Sequence, residues 1–106
     1  MSYPKTIIRT KVHDWVKYGV HYKNAHRFHR PDGPAYIGKG GSESWYLKDK
    51  IHREDGPAII WEDGTELWCV KGKAHRLNGP AKTFSNGGKE WWVDGKCIKR
   101  EYPNEM

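Results

Sequence analysis

Apolar residues of this chain lie in short runs that are bounded by turn signals. The runs 58–61 and 67–70 carry the β-branched and aromatic residues that are typical of strands. Asp63-Gly64 stands between them, and Asp-Gly between two apolar runs is a strong short-range signal for a β-hairpin. Turn signals recur so often that no helix of three turns fits between them. The pattern therefore predicts antiparallel strands and excludes a helical fold.

The same pattern recurs three times without a gap. The blocks have 23 residues each and run from His29 to Ile51, from His52 to Ala74 and from His75 to Cys97. All three share eight positions: an opening His-Arg, a Gly-Pro-Ala, a mid-block Gly, a Trp and a late Lys. Units of this size cannot bury their apolar face alone, so they must stack on their neighbours.

The repeat predicts an all-β fold, an antiparallel β-meander or solenoid with one hairpin per block that forms an elongated, twisted sheet. Residues 1–28 form an N-terminal strand segment and a degenerate capping repeat, in which Tyr22 takes the slot of the repeated Trp. Residues 29–97 form the three tandem units, and residues 98–106 form a loose C-terminal tail.

Alternation along the strands assigns the residues to two faces. Trp68 and Val70 point to one side together with Ala58 and Ile60, while Cys69 and Trp61 point to the other. The repeated Trp therefore belongs to the predicted main core.

Composition agrees with an aromatic core. Leu, Ile, Val and Phe account for only 17 of the 106 residues, a level at which a charged chain is suspected of disorder. Six Trp and six Tyr replace the missing aliphatic surface. The net charge of +6 suits an anionic partner, and it equally suits a solvated surface.

Several function classes find no support in the sequence. No apolar run reaches the length of a membrane span and no signal peptide is present, so we expect a cytoplasmic protein. The two cysteines are interpreted as small apolar residues. Four histidines crowd the N-terminal segment without the spacing of a metal site: His13, His21, His26 and His29. We expect no metal, no cofactor and no enzymatic activity, because no nucleophile elbow or phosphate-binding loop occurs.

A strand with Trp, a Gly-Lys turn and then His-Arg-x-(Asp/Asn)-Gly-Pro-Ala resembles the variant MORN-type β-hairpin repeats of bacterial and phage proteins. The resemblance covers about residues 12 to 98. It implies a β-sheet solenoid that serves as an interaction surface. It also implies a small phage accessory protein, a class of which some members act against host defences.

A row of basic residues is the first candidate site. It is made of the His-Arg pairs that open the blocks: His29, Arg30, His52, Arg53, His75 and Arg76. Arg offers a planar fork of donors to a phosphate, and His adds a donor beside it. The alternative is a structural role, in which each Arg holds its turn through a nearby acid such as Asp55.

Aromatic residues on the face opposite the repeated Trp form the second candidate site. They stand in slots where the blocks differ most: Tyr36, Tyr46, Trp61, Phe84 and Trp92. Rings between basic residues can anchor a protein partner or stack bases. The alternative is that these rings form a second apolar layer.

Two functional hypotheses follow. The first is a non-catalytic, phage-encoded β-repeat interaction protein that binds and inhibits a host defence protein. The second is a binder of an anionic ligand, either nucleic acid or a signalling nucleotide, through the His-Arg row and the aromatic face. Neither hypothesis involves a membrane, and open sheet edges leave a homo-oligomer as a further alternative.

Overall fold

A computed structural model describes residues 3–103 of the chain. Fourteen strands and one short 3-10 turn at Lys39–Gly41 make up this part of the protein, and no α-helix occurs in it. The strands are β1 Ile8–Val12, β2 Trp15–Tyr22, β3 Ala25–Phe28, β4 Tyr36–Ile37, β5 Glu43–Ser44, β6 Tyr46–Leu47, β7 Lys50–Ile51, β8 Ile59–Ile60, β9 Glu66–Leu67, β10 Cys69–Val70, β11 Lys73–Ala74, β12 Lys82–Thr83, β13 Lys89–Val93 and β14 Lys96–Glu101. The protein is all-β, as the turn spacing predicts.

Ten of the strands form one antiparallel sheet. Their order along the sheet is β1-β2-β4-β5-β8-β9-β12-β13-β14, and β3 also pairs with β2. The chain thus passes along the sheet in sequence order, which is the topology of a meander. The molecule is elongated, with extents of 51 × 33 × 20 Å. The predicted antiparallel meander of hairpins is confirmed.

Each complete unit contains two hairpins and not the single one predicted. In the middle unit, β8 and β9 belong to the main sheet, and β10 and β11 form a separate two-stranded ribbon. Lys71 and Gly72 connect the ribbon with φ values of 50° and 81°. Left-handed values at both central positions are those of a type I′ turn, the connection that matches the twist of a two-residue hairpin.

The strand register defines two faces. Ile60 lies opposite Glu66, and Ile59 lies opposite Leu67. Directly opposed residues share a face, so Ala58, Ile60 and Trp68 belong to one side, named the tryptophan face. The side that carries Ile59 and Leu67 is named the variable face. This division agrees with the alternation in the sequence.

The core is smaller than the sequence predicts. Within residues 3–103, the buried apolar side chains are Val20, Cys69 and the alanines of Gly-Pro-Ala, namely Ala35, Ala58 and Ala81. Burial raises the pKa of the Cys69 thiol to about 11, so Cys69 behaves as the predicted small apolar residue. The repeated Trp is only half-buried, and its assignment to the main core is wrong. A single-layer sheet buries small residues between its strands but has no second layer to enclose an indole ring.

The N-terminal cap follows the repeat in a shifted register. Tyr18, and not Tyr22, takes the place of the repeated Trp, because its N–H donates to the Ala35 carbonyl as Trp45 donates to Ala58. The hairpin of β2 and β3 is longer than its counterparts in the later units. An ungapped alignment does not account for the extra residues of this hairpin, so it places Tyr22 in the slot of the repeated Trp.

The C-terminal segment is more ordered than a loose tail. β14 pairs with β13, with Arg100 opposite Glu90 and Glu101 opposite Lys89. β12 pairs with β9 in the equivalent way, through Lys82 and Thr83. β14 therefore occupies the place that the first strand of a further unit would take. The rest of the predicted tail, residues 104–106, lies outside the described residues.

Candidate interaction surfaces

The three repeated arginines, named the Arg ladder, lie on the tryptophan face. The guanidinium carbons of Arg30, Arg53 and Arg76 stand 3.9, 3.9 and 3.8 Å from the ring centroids of the aromatic residues that precede them. Those rings belong to Tyr18, Trp45 and Trp68. Each contact is a cation–π pair, and it shields one side of the guanidinium from solvent.

Hydrogen bonds hold each guanidinium over its own turn. Nη1 of Arg53 donates to the carbonyl of Pro57 at 3.2 Å, and the other two arginines repeat this bond at 3.1 Å. Gly56 permits it, because a Cβ there would lie 2.6 Å from the guanidinium carbon of Arg53. The Gly-Pro pair of the repeat thus supplies a gap and an acceptor for the arginine.

Histidines of the ladder fix the side hairpins. Nδ1 of His29, His52 and His75 accepts the backbone N–H of Lys48, Lys71 and Asp94 at 2.9, 2.9 and 3.0 Å. Each acceptor nitrogen is therefore unprotonated. Burial lowers the pKa of His29, and the charge of Lys48 lowers it further. The Nδ1 atom of each imidazole thus acts as a turn acceptor, and only Nε2 can carry the donor N–H.

Acidic side chains border the ladder. Nε of Arg53 donates to Asp55 at 3.0 Å, and Arg30 faces Asp32 at 3.5 Å. Both carboxylates are more than four-fifths exposed, so these ion pairs contribute little stability. A shallow cavity of about 440 Å³ lies between Arg30 and Arg53, with Asp32, Glu54 and Asp55 in its lining. The lining is of mixed charge.

Much of the bonding capacity of the Arg ladder is used within the chain. One face stacks on a ring, Nη1 bonds a carbonyl, and Nε of the first two arginines meets a carboxylate. The contact with an acid that the sequence offers as an alternative is thus present in the first two units, and the contacts with a ring and a proline carbonyl are present for all three arginines. Arg30 and Arg53 line a cavity together with three acids, and these acids disfavour a phosphate.

The first part of the variable face is a closed aromatic cluster. Tyr46 stacks on Phe28 at 4.8 Å, and Tyr36 meets Phe28 and Trp15 at 6.3 and 6.1 Å. These rings are half-buried against one another. Tyr36 and Tyr46 therefore fill the second apolar layer that the sequence offers as the alternative to binding.

The second part of the variable face is open. Trp61 is 39% exposed, and it borders a shallow cavity of about 470 Å³ together with Phe84. Lys82 lies between them, with its Nζ 5.5 Å from the Trp61 ring and 4.7 Å from the Phe84 ring. The structure thus brings Trp61 and Phe84 together, and it separates them from Tyr36 and Tyr46.

Tyr102 extends this surface, although the sequence analysis does not identify it. Its ring lies 6.1 Å from Phe84, and it is 57% exposed. By pairing, Tyr102 follows Arg100 as Phe84 follows Lys82. A basic residue two positions before a ring is the sequence signal that could have identified it. The three rings Trp61, Phe84 and Tyr102 are named the aromatic row.

Glu90 anchors the end of the aromatic row. One carboxylate oxygen accepts the Trp92 indole N–H at 3.0 Å, and the other accepts the Tyr102 hydroxyl. The hydrogen bond from Tyr102 is the main cause that lowers the pKa of the Glu90 carboxyl, and the same bond raises the pKa of Tyr102. Trp92 is half-buried and belongs to this anchor, not to the open cleft.

Residues 3–103 contain no group of three or more His, Cys, Asp or Glu side chains that could hold a metal ion. In the same part of the chain, no helix is long and apolar enough to cross a membrane. Comparison with models of protein families, with curated proteins and with solved structures finds no match to this chain.

Proposed function

We propose that this chain is a non-catalytic β-repeat interaction protein that binds another protein through the open part of its variable face. The observation that carries the proposal is the exposed Trp61–Lys82–Phe84 cleft, continued by Tyr102. Large exposed rings beside a cation are typical of the anchors of protein interfaces.

Comparison between units supports the proposal. The slot of Trp61 and Phe84 holds Gly38 in the first unit, where the ring of Tyr36 lies against the glycine. The sheet thus accepts a covered, ring-free slot without losing its pairing. The exposed ring of Trp61 and the half-buried ring of Phe84 at the same slot of the later units are therefore not a requirement of the repeat.

The resemblance to MORN-type phage proteins narrows the proposed partner. Within this proposal the partner is a host protein in a defence pathway, the protein is phage-encoded, and binding inhibits the partner in the host cytoplasm. The basic net charge of +6 favours a partner surface with acidic groups.

Photo-crosslinking tests the proposal. A photoreactive phenylalanine analogue replaces Trp61 in one variant and Leu77 in another, because Leu77 is 74% exposed and lies away from the variable face. We expect a discrete host protein to crosslink in near-stoichiometric yield at position 61 and not at position 77. Equal labelling at the two positions, or none at either, would contradict protein binding through this face.

The anionic-ligand hypothesis gains one observation from the same face. Lys82 and Arg100 occupy equivalent positions beside the aromatic row, whereas the Arg ladder is bonded internally. A nucleic-acid ligand would give an affinity that falls steeply with salt, because each neutralised phosphate releases counterions. Titration with single-stranded oligonucleotides and nucleotides at low salt separates the two functions.

A further inference from the structure

We propose that the cleft between Trp61 and Phe84 binds an acidic side chain of the partner protein, flanked by an apolar residue. The inference rests on the proposed function and names the chemistry that the site recognises. The carboxylate pairs with Lys82, and the apolar side chain packs between the two rings.

The charge of Lys82 is the first observation that supports binding of an acidic side chain. None of the ion pairs within residues 3–103 includes its ammonium group. Glu90 stands opposite Lys82 in the sheet, but the two Glu90 oxygens accept hydrogen bonds from Trp92 and Tyr102. The charge of Lys82 contributes to the lowered pKa of Glu90, but within residues 3–103 no carboxylate forms an ion pair with the ammonium group, so its donors remain for a carboxylate from outside.

The aromatic walls of the cleft are the second observation that supports binding of an acidic side chain. The rings of Trp61 and Phe84 both lie close to the Lys82 ammonium group, at 5.5 and 4.7 Å, and shield it in part from water. An ion pair in such partly desolvated surroundings is stronger than one at an open surface. The same rings gain by burial when an apolar side chain enters beside the carboxylate.

The acidic residues at the rim of the cleft, Glu62 and Asp63, distinguish between a peptide and a nucleic acid as the partner. Asp63 is bonded to the Thr65 N–H and the Ser85 hydroxyl, and its pKa is lowered chiefly by the backbone bond, so it stays ionised. Glu62 leans over Gly40 of the preceding turn. A single carboxylate reaches Lys82 between Glu62 and Asp63. The successive phosphates of a nucleic acid would lie next to both acids and be repelled by them. The rim therefore favours a peptide over a nucleic acid.

Sister units provide substitutions for the test. The slot of Lys82 holds Ile59 in the middle unit, so Lys82→Ile removes the charge with a residue that the repeat already uses. The double variant Ile59→Tyr with Trp61→Gly transfers the closed Tyr36–Gly38 arrangement into the middle unit. Leu77→Glu introduces the residue of Glu54 outside the cleft and is the control.

The experiment follows the Trp61 indole N–H signal by NMR in the full chain, together with the backbone amide signal of Phe84, which reports binding in the double variant that lacks Trp61. The probes are an array of short peptides with an acid–apolar–acid centre, such as Glu-Phe-Glu. Matched peptides carry Lys-Phe-Lys or Glu-Ser-Glu centres, and a short oligothymidylate represents nucleic acid. Melting temperatures of all variants confirm that each one is folded.

We expect the acid–apolar peptides to shift the Trp61 signal and Lys82→Ile to weaken their binding at least about tenfold. The double variant abolishes binding, and Leu77→Glu leaves it unchanged. Equal binding of the Lys-Phe-Lys peptides, or a response to oligothymidylate alone, would overturn the inference. If no peptide binds but a host protein crosslinks at position 61, the proposed function stands and this inference is wrong.

Discussion

At the scale of single residues, arginine has the most consequential position in the repeat. Each guanidinium touches an aromatic ring of one segment and a proline carbonyl of its own turn, so it joins two segments that are distant in sequence. The sequence shows that His-Arg recurs, and it leaves both a structural contact and a ligand contact open. Only the distances to the ring and the carbonyl show that the structural contact is made.

Replacing Arg53 tests the strength of this contact. Arg53→Ala removes the stack on Trp45 and the bond to Pro57, and we expect a loss of about 2–3 kcal/mol in the free energy of unfolding. Asp55→Asn is the matched control, because the third unit already carries Asn78 at this slot and the Asp55 ion pair is exposed. Its expected cost is below about 0.5 kcal/mol. Urea denaturation measures both, and a loss at Arg53 no larger than at Asp55 would refute the structural role.

His29 gives the protein a pH dependence. Because burial lowers its pKa in the folded state, the unfolded chain binds the proton more readily. The stability that His29 contributes is fully present above pH 6.5, because about 6.5 is the pKa of histidine in the unfolded chain. It is lost as the pH falls towards the lowered folded value. Protonation of Nδ1 also removes the acceptor for the Lys48 N–H.

The variant His29→Asn keeps an acceptor near the Nδ1 position and carries no titrating group. We expect it to flatten the fall in melting temperature below pH 6.5, relative to the wild type. His29→Gln places its oxygen away from Lys48 and is expected to lower the melting temperature at every pH. An unchanged slope in His29→Asn would show that another group causes the acid destabilisation.

At the scale of elements, the side hairpins depend on turns that their sequences do not fully favour. Lys71 adopts a φ of 50°, a left-handed value that costs most non-glycine residues about 1 kcal/mol. Its neighbour Gly72 adopts 81° without such a cost. The second hairpin of the first two units is hard to predict for this reason, since Lys48-Asp49 and Lys71-Gly72 are weaker type I′ signals than Asn-Gly or the Asp94-Gly95 of the third unit.

Lys71→Asn should relieve this strain. Asn is enriched at left-handed positions, and Asn-Gly is the preferred type I′ pair, so we expect a gain of about 0.5 kcal/mol in the free energy of unfolding. Lys73→Asn places the same residue in β11, where Asn is disfavoured, and it should destabilise the protein. Equilibrium urea curves of the two variants should therefore move in opposite directions. A loss of stability in Lys71→Asn would show that the Lys71 side chain has another role.

At the scale of the whole molecule, the blocks behave as interchangeable steps of one sheet. The contact of Trp45 with Arg53 has the same geometry as that of Trp68 with Arg76. Deletion of residues 52–74 would therefore bring Arg76 to Trp45 without changing the register. We expect this shorter chain to fold cooperatively, with a smaller urea m-value because less surface is exposed on unfolding.

A deletion of residues 52–70 is the control, because it joins Ile51 to Lys71 and breaks the register. We expect that chain to lose its sheet, as measured by circular dichroism. If the deletion of residues 52–74 also fails to fold, the middle unit contributes something that its neighbours cannot replace.

The fold could be predicted from the sequence further than the site could. Repeated turns and alternating runs determine the meander and its two faces, since both depend on local spacing. The shift from Tyr22 to Tyr18 and the pairing of β14 depend on loop lengths, which an ungapped alignment does not register. Trp61 and Phe84 stand in the open cleft, whereas Tyr36 and Tyr46 pack on Phe28, because side-chain packing separates residues that the alternation in the sequence assigns to one face.

Both edge strands of the sheet are cationic. Arg9 and Lys11 lie in β1, and in β14 the three cations Lys96, Lys99 and Arg100 outnumber the one acid, Glu101. Pairing of two copies edge to edge would bring these charges within about 5 Å of one another. Mutual repulsion therefore opposes self-association at low ionic strength. Salt screens this repulsion, and it weakens from about 0.1 M salt, where the Debye length is about 10 Å.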